Sequence, residues 1–146
     1  DAGLVVVVAA GNNGPRTMSI TTPGISRKVI TVGCSDDDRE VLVGGNRMVD
    51  YSGRGPTAAC ICKPDLVAPG CSVVSCSSRA DKYTIKSGTS MSTPIVSGAV
   101  ALLLERFPDM SNKDVKLRLR ESSVDIGLPR NQQGWGLLDV GKMLER

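Results

Sequence analysis

Two runs of β-branched apolar residues, separated by loops rich in glycine and proline, organise the first half of this chain, and a long apolar helical pattern organises the second. Leu4-Val5-Val6-Val7-Val8-Ala9-Ala10 shows no apolar/polar alternation. That predicts a strand buried on both faces of a parallel sheet, ending at the turn residues Gly11-Asn12-Asn13-Gly14-Pro15. Val29-Ile30-Thr31-Val32-Gly33-Cys34 predicts a second such strand. From Ser35 to Asn46, the charge run Asp36-Asp37-Asp38 and the paired glycines read as a solvated loop and hairpin rather than a calcium cage. Lys63 to Gly70 reads as a short strand with proline at both ends, and Val73-Val74-Ser75-Cys76 pairs with Tyr83-Thr84-Ile85-Lys86-Ser87 as a hairpin.

Three helices are predicted in the last third. The first runs from about Ser92 to Arg106 and is apolar nearly all round, which predicts a buried central helix with Pro94 in its first turn. The second begins at Ser111, where Asp114 three residues on forms a capping box. It turns Val115 and Leu119 inward and Lys113, Lys116 and Arg120 outward. The last starts near Asp139 as N-cap and runs through Met143-Leu144. No repeat, low-complexity tract or linker divides the chain, so the pattern predicts one α/β unit with a mostly parallel sheet and flanking helices.

Composition narrows the function classes. The chain has 146 residues, 40% of them apolar, and a net charge of +3 in which basic and acidic residues are interspersed. No basic stripe marks a nucleic-acid surface, no window approaches the ~18 apolar residues of a membrane span, and Asp1-Ala2-Gly3 is not a charged signal-peptide start. Five cysteines, Cys34, Cys60, Cys62, Cys71 and Cys76, are an odd number at low density, which favours reduced thiols and a cytoplasmic setting. Their spacing is not a standard zinc pattern, so small apolar filler is the preferred reading over thiolate ligands.

The chemistry gathers at Gly88-Thr89-Ser90-Met91-Ser92-Thr93-Pro94, in a chain without a single histidine. Ser90 stands where a glycine turn enters a helix, so first-turn amides and the helix dipole favour negative charge beside it. A serine hydroxyl needs a base and donors for the oxyanion it creates on a carbonyl. Asn12, at the end of a predicted strand, is the best placed second donor, although an asparagine in a glycine-rich loop is commonly a turn residue. A lysine base, Lys86 or Lys63, is a further candidate, against the plainer reading of surface lysines.

The serine heptapeptide, followed by Val96 and Gly98, resembles the nucleophile signature of the subtilisin-like serine proteases, the subtilases of peptidase family S8. Ala9-Ala10-Gly11-Asn12 resembles their oxyanion-hole segment. Tyr51-Ser52-Gly53-Arg54-Gly55-Pro56, Asp65-Leu66-Val67-Ala68-Pro69-Gly70 and Gly134-Trp135-Gly136-Leu137-Leu138-Asp139 are similar to further family segments, in family order. The resemblance implies a partial three-layer subtilisin-like fold and serine endopeptidase chemistry on a peptide or protein substrate. Ser90 would be the acylating nucleophile, Asn12 the side-chain oxyanion donor and Thr89 its support. Ala10 and Gly11 would line a wall of the substrate pocket, Thr21 and its neighbours the floor, and Thr22-Pro23 would be cis.

Departures from the family pattern carry equal weight. The family's triad aspartate and histidine lie ahead of the matched segments, so residues 1–146 correspond to the C-terminal half of the catalytic domain. Ile95 stands where relatives usually have a histidine. Its partners would be the missing N-terminal half of the same domain and the substrate, with no nucleic acid and no membrane. Calcium is a candidate only for the full-length family member, and no other cofactor is implied. Alone, the chain is expected to be nearly inert and, with an open sheet edge, to self-associate as a homo-oligomer or domain swap. The rival to an enzyme is a non-catalytic subtilase-like module for binding or assembly.

Overall fold

The structure, a computed structural model, describes residues 3–78 and 82–145; Asp1 and Ala2, part of the segment read for a signal-peptide start, lie outside the described residues. In chain order the elements are β1 (Val7–Ala9), β2 (Ile30–Cys34), β3 (Val41–Val43), β4 (Asn46–Met48), β5 (Leu66–Ala68), β6 (Val73–Cys76) and β7 (Tyr83–Lys86). Four helices follow: α1 (Thr89–Arg106), α2 (Asn112–Ser122), α3 (Arg130–Gln133) and α4 (Val140–Leu144).

β1, β2 and β5 form a parallel sheet in that order, with Val7 opposite Ile30 and Val32 opposite Leu66. β3–β4 and β6–β7 are antiparallel hairpins. The second matches the pairing expected from its alternation. Gly134–Leu138 runs beside β5, where Trp135 N–H donates to the Asp65 carbonyl (2.8 Å) and Leu138 N–H to that of Val67 (2.9 Å). β2 is buried along its whole length because it has a strand on each side and α1 across one face. Val96, Ala99, Val100 and Leu103 of α1 meet Ile30, Val32, Leu66 and Ala68 there, joined by Val115 and Leu119 of α2 and Met143 of α4. The result is a mixed sheet system with flanking helices, the arrangement expected of a partial subtilisin-like fold.

Both helix caps read from the sequence are present. Ser111 Oγ accepts from Asp114 N–H (3.2 Å) while Asp114 Oδ2 accepts from Ser111 N–H (3.0 Å). Asp139 Oδ1 accepts from Lys142 N–H at 2.9 Å.

Several expectations are corrected. β1 is half-buried rather than buried on both faces, since it pairs with β2 alone and carries no strand on its other edge among the described residues. α1 begins at Thr89, a turn earlier than predicted, and buries one face only. Ser97, Gly98, Ala101 and Leu102 are exposed because no layer covers that side among the described residues. A short fourth helix, α3, was not predicted; its four residues are too few to carry a periodic signal. Lys116 does not point out to solvent but folds back to the Val29 carbonyl (2.8 Å) and the Asp65 carboxylate (3.2 Å).

The Asp36-Asp37-Asp38 run is not uniformly solvated either. Asp37 is 1% exposed and lies 3.8 Å from Arg54 Nη2, which also meets Asp50 Oδ1 at 3.3 Å. Asp37 Oδ2 makes no hydrogen bond, so desolvation outweighs the attraction of Arg54 and raises the carboxyl's pKa above its ordinary 3.8. The folded state then binds more protons than the unfolded chain between 3.8 and the raised value. Stability contributed by this group therefore falls as pH rises through that window. Asp37→Asn, which cannot titrate, is expected to gain on the wild type from about pH 3 to pH 7 in urea denaturation. A difference that stays constant over that range contradicts the assignment.

Candidate active site

The site is assembled at the C-terminal ends of β1 and β5. After β1 the chain turns at Gly11, whose φ of 94° favours glycine and whose Cα is packed against the Thr21 side chain, where a Cβ would collide. Two bonds from the 51–53 segment hold the turn. Gly53 N–H donates to the Gly11 carbonyl (2.8 Å), and Gly14 N–H donates to that of Tyr51 (2.9 Å).

On the other side, α1 is pinned to the end of β5. Ser92 Oγ donates to the Ala68 carbonyl (2.8 Å) and Gly88 N–H to that of Gly70 (2.9 Å). Gly88, with φ 143°, precedes the helix and cannot cap it with a side chain. Asn12 takes that role from 77 residues away: its Oδ1 accepts from both Thr89 N–H and Thr89 Oγ1, each at 3.0 Å. Thr89 Oγ1 in turn accepts from Gly11 N–H at 3.2 Å. A backbone N–H can pair only with the amide oxygen, so the orientation of Asn12 is fixed and its Nδ2 donor lies beside Gly88, where a Cβ would be 3.3 Å from it.

Ser90 is exposed at the second position of α1. Of the amides on either side of it, Thr89 N–H is taken by Asn12 and Met91 N–H donates to the Gly88 carbonyl at 2.8 Å. Asn12, Gly11, Thr21, Thr89 and Ser90 line one cleft of about 540 Å³, with Val7, Val8 and Ala9 of β1 along one side and Pro94 and Ser97 of α1 along another. The structure thus brings together five of the six residues singled out from the sequence. The sixth, Ala10, is fully buried and does not line the cleft, because its N–H donates to the Val32 carbonyl (2.8 Å) and its carbonyl accepts from Thr21 N–H (3.0 Å), which encloses it between those segments. Thr22-Pro23 is cis, as expected. A larger open depression between α1 and α2, around Phe107 and Leu117, holds none of these residues.

Sequence reasoning gave no bracing role to Gly53, Tyr51 and Ser92, whose partners lie 24 to 42 positions away and leave no local pattern. It also placed Lys63 at the surface. Lys63 is buried, with Nζ 2.5 Å from Asp65 Oδ2 and 3.1 Å from the Val29 carbonyl. Burial lowers its pKa, yet the group is held on a carboxylate before β5, whereas Ser90's turn is fastened after it. Lys63 is therefore not placed to serve Ser90 as a base.

Among the described residues, no three His, Cys, Asp or Glu side chains converge on a point where a metal ion could sit. Cys60, Cys62 and Cys76 are exposed, whereas Cys34 and Cys71 lie together with Tyr51.

The subtilase family model matches residues 1–136. The chain belongs to the subtilase family. Among curated relatives, Serine protease AprX of Bacillus subtilis is 42% identical over 135 residues, covering 84% of this chain and 30% of AprX. The halolysin-like extracellular serine protease Nep of Natrialba magadii is 33% identical, covering 94% of the chain and 23% of Nep. Among solved structures, the self-cleaved protease domain of PatA superposes with a TM-score of 0.72 at 26% identity, covering 97% of this chain and 49% of that domain. The subtilase chain thus spans less than a third of these two curated relatives. Family membership establishes a serine-protease relationship, and no helix among the described residues is long and apolar enough to cross a membrane.

The cytoplasmic setting expected from the cysteines is overturned, since a subtilase relative carrying the same segment is an extracellular protease. The expectation of small apolar filler holds for buried Cys34 but not for Cys60, Cys62 and Cys76, which are exposed; cysteine number and density therefore report neither packing nor compartment.

Proposed function

We propose that this chain supplies the nucleophile and oxyanion donors of a serine endopeptidase, forming the C-terminal half of a catalytic domain whose aspartate and histidine come from another segment. Ser90 attacks the scissile carbonyl, and the peptide bond is cleaved through an acyl-enzyme on its oxygen. The negative charge that develops is met by Ser90 N–H at the positive end of α1 and by Asn12 Nδ2. Thr89 keeps the amide turned, Gly11 and Thr21 contact the substrate side chain, and the substrate is a peptide or protein.

The observation that carries this reading is the orientation of Asn12. Two donors from Thr89 occupy its oxygen, which leaves Nδ2, beside Gly88, as the donor of a side chain that lines the same cleft as Ser90. The 146 residues hold no histidine and neither candidate lysine, Lys63 or Lys86, lines the Ser90 cleft, which supports a base supplied by another segment. That the chain covers about half of the PatA protease domain accords with a half-domain reading.

A fluorophosphonate probe tests the assignment. Labelling is expected at Ser90 in the full-length protein, located by peptide mapping, and hardly at all in this chain alone. Absence of labelling from the full-length protein would replace the enzyme reading with that of a binding or assembly module.

A further inference from the structure

Cys34 and Cys71 lie outside the cleft, yet between its two anchors. Cys34 ends β2, and Cys71 follows Gly70. Their sulfurs are 3.9 Å apart, and the buried Tyr51 hydroxyl touches both, at 3.0 Å from Cys34 and 3.1 Å from Cys71. Cys71 also donates to the Asp36 carbonyl. Neither thiol has a role in the proposed chemistry, and a tight core would be served by any two small apolar side chains.

We propose that Cys34 and Cys71 are a redox pair that closes to a disulfide, stapling the end of β2 to the segment that holds the Ser90 turn. A disulfide brings the sulfurs to about 2.05 Å, so closure needs about 1.9 Å of approach. Cys71 is half-buried and so open to a small oxidant, whereas Cys34 is enclosed. This sets the order of events.

With hydrogen peroxide as oxidant, the deprotonated Cys71 sulfur attacks one peroxide oxygen and the O–O bond breaks. The released hydroxide takes up the thiol proton as water, leaving Cys71 as sulfenic acid. The Cys34 sulfur then attacks the Cys71 sulfur; the S–S bond forms, the S–O bond breaks, and the departing hydroxide leaves as water with the Cys34 proton. Two thiols and one peroxide become one disulfide and two waters, the two electrons passing from sulfur to oxygen.

Burial raises both thiols, Cys34 to about 12, so neither is appreciably ionised at neutral pH and closure is slow rather than immediate.

Position gives the pair its consequence. The residue before Cys71 accepts from Gly88 N–H (2.9 Å), and the residue after it donates from Ser72 N–H to Ser87 Oγ (2.8 Å). Cys71 is thus flanked by the two bonds that fasten the approach to Thr89 and Ser90. Tyr51, which touches both sulfurs, holds the Asn12 loop through its carbonyl. The closed pair spans 37 positions of chain and restricts the unfolded state accordingly.

The test is to treat the full-length protein with hydrogen peroxide, block free thiols in denaturant with iodoacetamide, and map the peptides by mass. The expected result is a Cys34–Cys71 cross-linked peptide 2 Da lighter than the two thiol peptides together, with a melting temperature about 5–10 °C above the reduced protein. Cys71→Ser should lose both while melting close to the reduced wild type. If Cys71→Ser does not fold, the wild-type map still decides. Cys34 and Cys71 both recovered alkylated or as separate sulfinic acids, or cross-linked to other cysteines, would overturn the proposal.

Discussion

Ser90→Ala in the full-length protein is expected to lower turnover of a peptide substrate by about 10⁶-fold, the scale established for loss of the nucleophile in subtilisin, a member of the same family. The magnitude follows from what the hydroxyl does. In the proposed mechanism no acyl-enzyme forms without it, and the oxyanion donors can act only on the intermediate raised by direct attack of water. Ser90 is exposed at the start of α1 and packs against nothing in the core, so the melting temperature of the variant should stay within about 1 °C of the wild type. Steady-state hydrolysis alongside a thermal melt reads both. A fall of less than about 10²-fold would mean that another group carries the attack.

The second large effect separates two duties of one side chain. Asn12 Oδ1 caps α1 through Thr89, while Asn12 Nδ2 is the proposed oxyanion donor. Asn12→Asp keeps an acceptor for Thr89 and places a carboxylate at a helix N-terminus, where it is favoured. It removes the donor and puts negative charge where the oxyanion would form. Turnover should fall by at least 10²–10³-fold with little change in stability. Asn12→Ala removes cap and donor together, so it should lose a similar factor in kcat and also melt lower. KM should change little in either case, since the interaction strengthens only as charge develops. Full activity in Asn12→Asp would show that Asn12 is a helix cap and nothing more.

What the sequence reveals about this molecule depends on how far each signal reaches. β2 was legible because five consecutive buried positions write themselves as an apolar run. The Ser111–Asp114 box and the Asp139 cap were legible because both partners lie within four residues. Ser90 and Asn12 were marked by a glycine turn entering a helix and by a strand end, motif resemblance supplied their expected roles, and their meeting in one cleft is a tertiary fact of the kind no periodicity encodes. The failures share one cause. Lys63, Asp37 and Lys116 all look like surface charges, yet each is met by a partner brought from elsewhere by the fold: Asp65 and the Val29 carbonyl, Arg54, and Val29 again. Lys63 has its carboxylate only two residues away, but its burial needs α2 and the 27–31 segment as well. For Ala10, burial comes from partners distant in sequence: its N–H donates to the Val32 carbonyl (2.8 Å) and its carbonyl accepts from Thr21 N–H (3.0 Å), which no local pattern encodes.

The half-covered β1 bears on how such a catalyst could be kept harmless. Its second edge has no strand partner among the described residues, and β1 lines the cleft that holds Ser90, so a strand added there would lie beside the proposed nucleophile. Strand addition is unforgiving, because a slip by one residue reverses the face of every side chain. A base carried in with that strand would reach Ser90 in a single alignment, and any other alignment would leave the serine unactivated. On the proposed reading, faulty assembly would end in silence rather than in misdirected cleavage, with the safeguard in the geometry of backbone pairing.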